Sequence, residues 1–336
     1  MAEEVWMLQT KKADFKQIGA RFRIDPVTAR IIRNRGIEGE AAIDRYLNGT
    51  LDDLYDPMLL KDMERAVSIL CEAVDTGKKI RIVGDYDIDG VCSTYILLQA
   101  FERLGSDVDF EIPDRIKDGY GINESIIEQA HADGVEVILT CDNGISAFHQ
   151  VELAKKYGMT VVITDHHEVP LDGEKEKIPP ADAVIDPKQA DCPYPFPEIC
   201  GAVVAYKLVQ VLYARRGVPQ MEWLDLLEFA AIATVGDVMK LQDENRILVK
   251  YGLKKMAQTK NLGLRRLAEK NNLDLGAITA YHIGFVIGPC LNAGGRLKTA
   301  KEALALLRAQ SEEEAERLAE ELKELNDTRK DMTEQG

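Results

Sequence analysis

KKIRIVGDYDIDGVCSTYILLQAFERLG, residues 78–105, decides the fold. It opens with a short apolar, β-rich run that ends in the alternating acids Asp85, Asp87 and Asp89. It continues as a helix-length apolar stretch closed by Gly105 in the C′ position. The strand-to-helix step then recurs. DVDFEIPD (107–114) reads as a strand and NESIIEQAHADG (123–134) as a helix with Asn123 as N-cap. VEVILTCD (135–142) and SAFHQVELAKKYG (146–158, Ser146 as N-cap) repeat the unit, and the strands MTVVITD (159–165) and ADAVIDP (181–187) follow. Strands alternating with helices of about a dozen residues form βαβ units, so an α/β fold is expected: a doubly wound, mostly parallel five-stranded sheet covered on both faces.

Outside this block the strand signal is absent. Residues 1–60 hold short helical patterns (27–33 and 39–47) and no strand alternation, an N-terminal helical segment without evident chemistry. After residue 200, the stretches 201–217, 221–236, 244–258 and 298–309 all read as helices. Residues 311–332 place Ala315, Leu318, Ala319, Leu322 and Leu325 on one stripe. That last helix either packs on its own domain or leads into a further one. The expected division is 1–60 helical, 61–240 catalytic α/β, 241–310 a helical annex, and 311–336 a long connecting helix.

Composition narrows the class. The chain has 336 residues, 46% hydrophobic and 29% charged, enough for a sizeable core. No apolar run reaches the length of a membrane span, and the start MAEEVWMLQTKKADF has neither the basic nor the apolar region of a secretory signal, so a cytoplasmic protein without membrane contact is expected. Six cysteines lie far apart without C-x-x-C, which fits reduced thiols better than disulfides or a zinc site. Forty-two basic against 57 acidic residues give a net charge of −15, which argues against bulk electrostatic sheathing of nucleic acid but leaves room for a local basic track.

The chemistry is marked by where the acids fall. Asp85, Asp87 and Asp89 follow the first strand, Asp142 in CDNG follows the third, and Asp165, His166 and His167 in ITDHHEVP follow the fourth. These are strand C-termini, where ligands bind in open α/β sheets. Asp237 in ATVGDVMKL is a further candidate at a helix end. Crowded carboxylates raise one another's pKa and repel unless a cation neutralises them. Oxygen-rich ligands with one or two imidazoles suit Mn²⁺, then Mg²⁺, with Zn²⁺ behind, and there are enough carboxylates for two ions that catalyse displacement at phosphorus. A calcium loop is excluded, because Ile96 stands where D-x-[DN]-x-[DN]-G-x5-E needs Glu. Adjacent on an extended loop, His166 and His167 point to different sides, so one can ligate metal while the other meets a phosphate or leaving oxygen. His131 and His149 lie in helix patterns without acidic partners and are assigned to packing or surface; His282 is left open.

GDYDIDG, CDNG, TDHH and VGD in this order resemble the successive motifs of the DHH phosphoesterase superfamily. IPDRIKDGYG (112–121), the stretch 186–208 and IGPCLNAGGRL (287–297) are similar to its bacterial single-stranded-DNA exonuclease branch, and the similarity spans roughly residues 15–335. The resemblance implies metal ligation by Asp87, Asp89, Asp142, His166 and Asp237, with Asp142 bridging two ions, Mn²⁺ or alternatively Mg²⁺. It groups His167, Asp85 and Asp165 as catalytic: His167 facing the scissile phosphate, Asp165 orienting the imidazoles, and Asp85 either a ligand or a support. It implies substrate contacts from Arg115, Asn292 and Arg296, although a surface role for Arg115 and a helix-capping turn at the glycines explain the same residues without DNA. Cys290 departs from the Arg common in the family. The implied activity is 5′→3′ hydrolysis of single-stranded DNA in repair and recombination, with a single-strand-binding protein and a helicase as partners; the alternative is hydrolysis of short oligonucleotides or cyclic dinucleotides. Family members continue into a DHH-associated domain, so the chain is expected to be a catalytic fragment.

Overall fold

The computed structural model describes residues 11–115, 119–297 and 299–335, leaving aside the Arg296 side chain and those of 334 and 335. The helices α1 (Phe15–Phe22), α2 (Pro26–Asn34), α3 (Glu40–Asn48) and α4 (Met63–Asp75) lead into β1 (Ile80–Val83) and α5 (Ile88–Arg103). Then come β2 (Val108–Glu111), α6 (Glu124–Ala132), β3 (Val137–Cys141), α7 (Phe148–Lys156) and β4 (Thr160–Thr164). A two-residue-a-side hairpin, β5 (Leu171–Asp172) and β6 (Lys175–Glu176), precedes β7 (Ala183–Ile185). The rest is helical: α8 (Gly201–Arg215), α9 (Gln220–Leu224), α10 (Leu227–Gly236), α11 (Asp243–Met256), α12 (Leu262–Lys270), α13 (Ala280–His282), α14 (Gly288–Leu297), α15 (Lys301–Arg308) and α16 (Glu312–Gln335).

The five main strands are ordered β2-β1-β3-β4-β7, and every pairing is parallel. Side chains alternate between the two faces. Ile80, Ile82, Val137, Leu139 and Val162 pack into the large core with α4, α5, α8 and α10, whereas Val83, Ile138, Val161 and Ile163 pack against α6 and α7. The chain leaves β1 towards β2 on one side and returns to β3 on the other, which puts the topological switch point between the C-terminal ends of β1 and β3. The large core runs without a break from Leu60 to Leu322, and the apolar stripe of α16 packs on α12, α14 and α15.

Local expectations met tertiary packing with mixed results. Asn123 caps α6 by accepting from the Ile126 N–H at 3.0 Å, and Gly105 follows α5 with φ of +72°. Ser146 is no cap: α7 begins two residues later, at Phe148. Residues 221–236 form two helices, α9 and α10, broken at Asp225–Leu226. The glycine-rich 288–297 is a helix, not a capping turn, and continues a π-helical turn over 283–287. His131 stacks on Tyr157 at 4.2 Å between ring centroids, and His149 lies exposed beside Glu124.

One buried acid in α10 gives a stability prediction. Glu228 is 4% exposed, and burial raises its pKa to about 7, although Thr259 Oγ1 donates to it at 2.7 Å. Between about pH 4.5 and 7 the unfolded chain releases this proton while the folded chain keeps it, so stability falls with rising pH and the deficit is complete above about 7. Glu228→Gln retains the acceptor for Thr259. It should raise the melting temperature at pH 8 by the equivalent of about 3 kcal/mol and leave it unchanged at pH 4, measured by calorimetry.

Candidate metal centre

The acids that follow the strands converge at the switch point because each sits on a rigid element end. Asp87 caps α5, its Oδ1 accepting from the Asp89 and Gly90 N–H groups at 2.9 and 3.1 Å. Asp89, in the first turn of α5 and 1% exposed, is gripped from the other side: the N–H groups of Gly201 and Ala202, the first residues of α8, donate to its two oxygens at 2.7 and 2.8 Å. Asp85 accepts from the Gly121 N–H at 3.2 Å. Asp142 has φ of +61°, a conformation that Asp tolerates, and the Tyr120 hydroxyl donates to its carbonyl at 2.7 Å. Asp237 ends α10.

His166 closes the cluster. Its Nε2 lies 3.1 Å from Asp142 Oδ1, 3.4 Å from Asp89 Oδ2 and 3.9 Å from Asp237 Oδ2. Three overlapping groups, Asp85/Asp87/Asp142, Asp89/His166/Asp237 and Asp142/His166/His167, each place one ligand atom per residue within 4.8 Å of the others. Asp142 belongs to two of them, as a bridging carboxylate would.

The electrostatics call for cations. Burial, with Asp87 next, raises the Asp85 carboxyl to about 7, and burial, with Asp89 next, raises Asp237 to about 7. Asp142 is pushed well above its usual range by burial and then by Asp89, Asp87, Asp165 and Asp85, and Asp87 is raised by burial and by Asp89. Burial lowers His166, keeping its imidazole neutral and fit to ligate. Asp85 Oδ2 and Asp142 Oδ1 are buried and accept no hydrogen bond. Buried oxygens without donors, carboxylates held above their normal pKa and a neutral imidazole at their centre are the donor set of a divalent-metal site of the Mn²⁺ and Mg²⁺ type.

His167 is set apart, half exposed, with Nδ1 2.7 Å from Asp165 Oδ1 and Tyr120 Oη at 3.1 Å. Burial opposes its charge, but the hydrogen bond and charge of Asp165 outweigh it and raise His167 to about 9. Asp165 contacts His166 only at the backbone N–H, at 2.7 Å, so of the two imidazoles it orients that of His167. Beside the cluster, a cavity of about 280 Å³ is lined by Tyr86, Asp87, Arg115, Asp237, Asn292 and Gly295 among others. The Arg115 guanidinium lies 5.3 Å over the Tyr86 ring. Gly295 lets α14 come this close, since a Cβ there would stand 2.4 Å from the Tyr86 carbonyl oxygen. The Arg296 side chain lies outside the described residues.

Three participants escaped the sequence reading. Tyr120 joins His167 to the Asp142 backbone, and nothing local in DGYG announces contacts 47 and 22 residues away. Gly201 carries the clamp on Asp89. Asp186 follows β7 as the other acids follow their strands; it is fully buried, raised to about 7 by burial and then by Asp165, and the same strand-end rule would have found it.

A doubly wound sheet with carboxylates and a paired imidazole at its switch point is the arrangement expected of a DHH-type domain, and residues 79–234 match the model described as DHH family, N-terminal domain. Within that class the chain belongs to the RecJ family. It is 35% identical to an exonuclease RecJ solved bound to manganese (TM-score 0.74; 82% of this chain and 68% of that one covered). It is 31% identical to the RecJ of Thermus thermophilus solved with Mn²⁺ (TM-score 0.79; 95% and 44%). Over 328 residues it is 38% identical to the single-stranded-DNA-specific exonuclease RecJ of Bacillus subtilis, covering 97% of this chain and 40% of that one. The chain spans about half the length of the curated relatives it matches.

Proposed function

We propose that the chain hydrolyses phosphodiester bonds of single-stranded DNA from the 5′ end, with two divalent ions, Mn²⁺ in preference to Mg²⁺. The observation that carries this is the merging of Asp85, Asp87, Asp89, Asp142, His166 and Asp237 into one largely buried cluster, Asp87 and Asp237 partly exposed, beside an Arg115-lined cavity. The activity named for the relatives supports the rest. Asp87, Asp89, Asp142, His166 and Asp237 would hold the ions, which when bound would lower the pKa of a water and neutralise charge on phosphoryl oxygens. The chain's own groups do the remainder. His167, positive because Asp165 holds it, offers its Nε2 proton to a phosphoryl or leaving oxygen, and Tyr120 keeps the ring in place. Arg115 and Asn292 line the cavity together with Asp87 and Asp237, and there a planar guanidinium would meet a terminal phosphate. A role in repair and recombination, a cytoplasmic location, and single-strand-binding and helicase partners belong to the same reading and rest on the resemblance. So does the division at 60, 240 and 310. No helix among the described residues is long and apolar enough to cross a membrane.

The test is product analysis with single strands labelled at either end. Release of mononucleotides from the 5′ end, with blunt duplex resistant, is expected; degradation from the 3′ end, internal cutting or a preference for cyclic dinucleotides would refute the reading. Mn²⁺ should give faster turnover than Mg²⁺, and Ca²⁺, which prefers a larger all-oxygen sphere, should fail. Rates with Ca²⁺ equal to those with Mn²⁺ would contradict the donor assignment.

A further inference from the structure

The charge of the chain is unevenly distributed. Residues 11–35 carry eight bases (Lys11, Lys12, Lys16, Arg21, Arg23, Arg30, Arg33, Arg35) and two acids, a net charge of +6, so the other 311 residues sum to −21. The two acids are committed to helix caps. Asp14 accepts from the Gln17 N–H at 2.9 Å, and Asp25 accepts from the Val27 and Thr28 N–H groups at 2.9 Å each. Of the bases, Arg21 pairs with Glu40 and Arg33 with Glu38; among the described residues the other six make no ion pair. Lys12, Lys16, Arg23, Arg30 and Arg35 are exposed. A fold with an excess of acid elsewhere has no structural need to gather unpaired cations here.

The same segment is a helix pair joined by the three residues 23–25, with Arg23 in the left-handed conformation at φ of +55°. The second helix buries Ala29 and turns Ile32 to a small core shared with α3. It exposes Val27 and Ile31, 66% and 50% accessible, with Arg30 between them. Single-strand binders stack bases on exposed aromatic rings. Here Phe22 packs on the small core and Phe15 is covered by the Arg30 guanidinium at 4.5 Å. Exposed bases flanking a second helix with small apolar side chains are the means by which helix-turn-helix elements hold a duplex.

The pair is also placed next to the chemistry. The Gln242 side-chain amide donates to the Arg35 carbonyl at 2.6 Å, and Gln242 lies five residues, at most about 18 Å of chain, from Asp237. We propose that α1 and α2 form a duplex-DNA clamp that grips the backbone of the double-stranded region adjoining the single strand presented to the metal centre. This rests on the nuclease reading for its substrate but not for its measurement.

The experiment is equilibrium binding in EDTA, where no cleavage occurs, of a 5′-tailed duplex and of the single-stranded tail alone, each titrated with salt. Each duplex phosphate contact contributes about 0.9 to the slope of log K against log salt. The triple variant Lys16→Glu/Arg23→Glu/Arg30→Glu should therefore flatten the slope for the tailed duplex by about 2.7, with affinity for the tail alone and Mn²⁺-dependent hydrolysis of short single strands unchanged. Because Arg30 packs on Phe15, Lys12→Glu/Lys16→Glu/Arg23→Glu is the parallel variant, and melting temperatures check both folds. An unaltered duplex slope, or an equal loss of affinity for the tail alone, would overturn the proposal. A flattened slope in a chain that cleaves nothing would instead overturn the nuclease reading and leave the clamp standing.

Discussion

Asp142→Asn should lower phosphodiester hydrolysis at least about 100-fold and at the same time raise the melting temperature of the metal-free protein. Asp142 is the carboxylate shared between two of the three ligand groups, and its Oδ1 is buried without a hydrogen-bond donor. On the proposed reading its removal takes away a metal ligand, and losing even the supports of a ligand costs 10- to 100-fold in affinity or activity. The same side chain is a liability when no cation is present, because it is buried beside Asp89, Asp87, Asp165 and Asp85. An amide of the same shape relieves that repulsion, a case of stability sacrificed at a working site. Turnover and thermal unfolding in chelator, measured on one preparation, check both halves. Activity above a tenth of wild type, or a lowered melting temperature, would count against Asp142 as the shared ligand.

The second large effect comes from a residue with no side chain. Gly201→Ala would ordinarily be harmless or helpful in a helix, since alanine is favoured over glycine by about 1 kcal/mol. Here a Cβ would stand 2.7 Å from the Asp142 Cβ and 2.9 Å from its Cα. Overpacking of this kind costs about 1–3 kcal/mol, more than the propensity gain, and the atoms that must yield include backbone. The Gly201 N–H also holds Asp89, so relief of the clash moves Asp89 and Asp142, two of the proposed ligands, at once. A displacement of about 1 Å at reacting groups costs on the order of 100-fold in rate. Hydrolysis should therefore fall 10- to 100-fold, and rescue by raised Mn²⁺ should be partial. Wild-type rates in Gly201→Ala would show that α8 does not set the ligand geometry.

The sheet was legible because both of its signals are local. Apolar β-rich runs of four or five residues stand where β1, β3 and β4 form, and the acids stand immediately after them, so the alternation of strand and helix alone put Asp85, Asp87, Asp142 and His166 on one edge. Asp237 was harder: it ends a helix whose neighbours in sequence say nothing about β1, and only the packing of α10 on α5 brings it within reach of His166. The helix over 288–297 was not legible, for a physical reason. Three glycines and a proline disfavour a helix, but the segment directly continues the π-helical turn over 283–287, and burial against α16 and α5 supplies what propensity lacks. Tyr120, Gly201 and the break between α9 and α10 depend on contacts between distant residues, which periodicity does not encode. The basic segment 11–35 was within reach of a charge count taken in windows rather than over the whole chain.

The claim on which the account stands is that one buried cluster holds two divalent ions with Asp142 between them. Counting Mn²⁺ per chain by native mass spectrometry and calorimetric titration tests it without reference to any substrate. The account expects two ions on the wild-type chain, a rise in melting temperature as they bind, and loss of at least one ion in Asp142→Asn with the fold intact. A single ion on the wild-type chain, or two ions retained with unchanged affinity in Asp142→Asn, would contradict it.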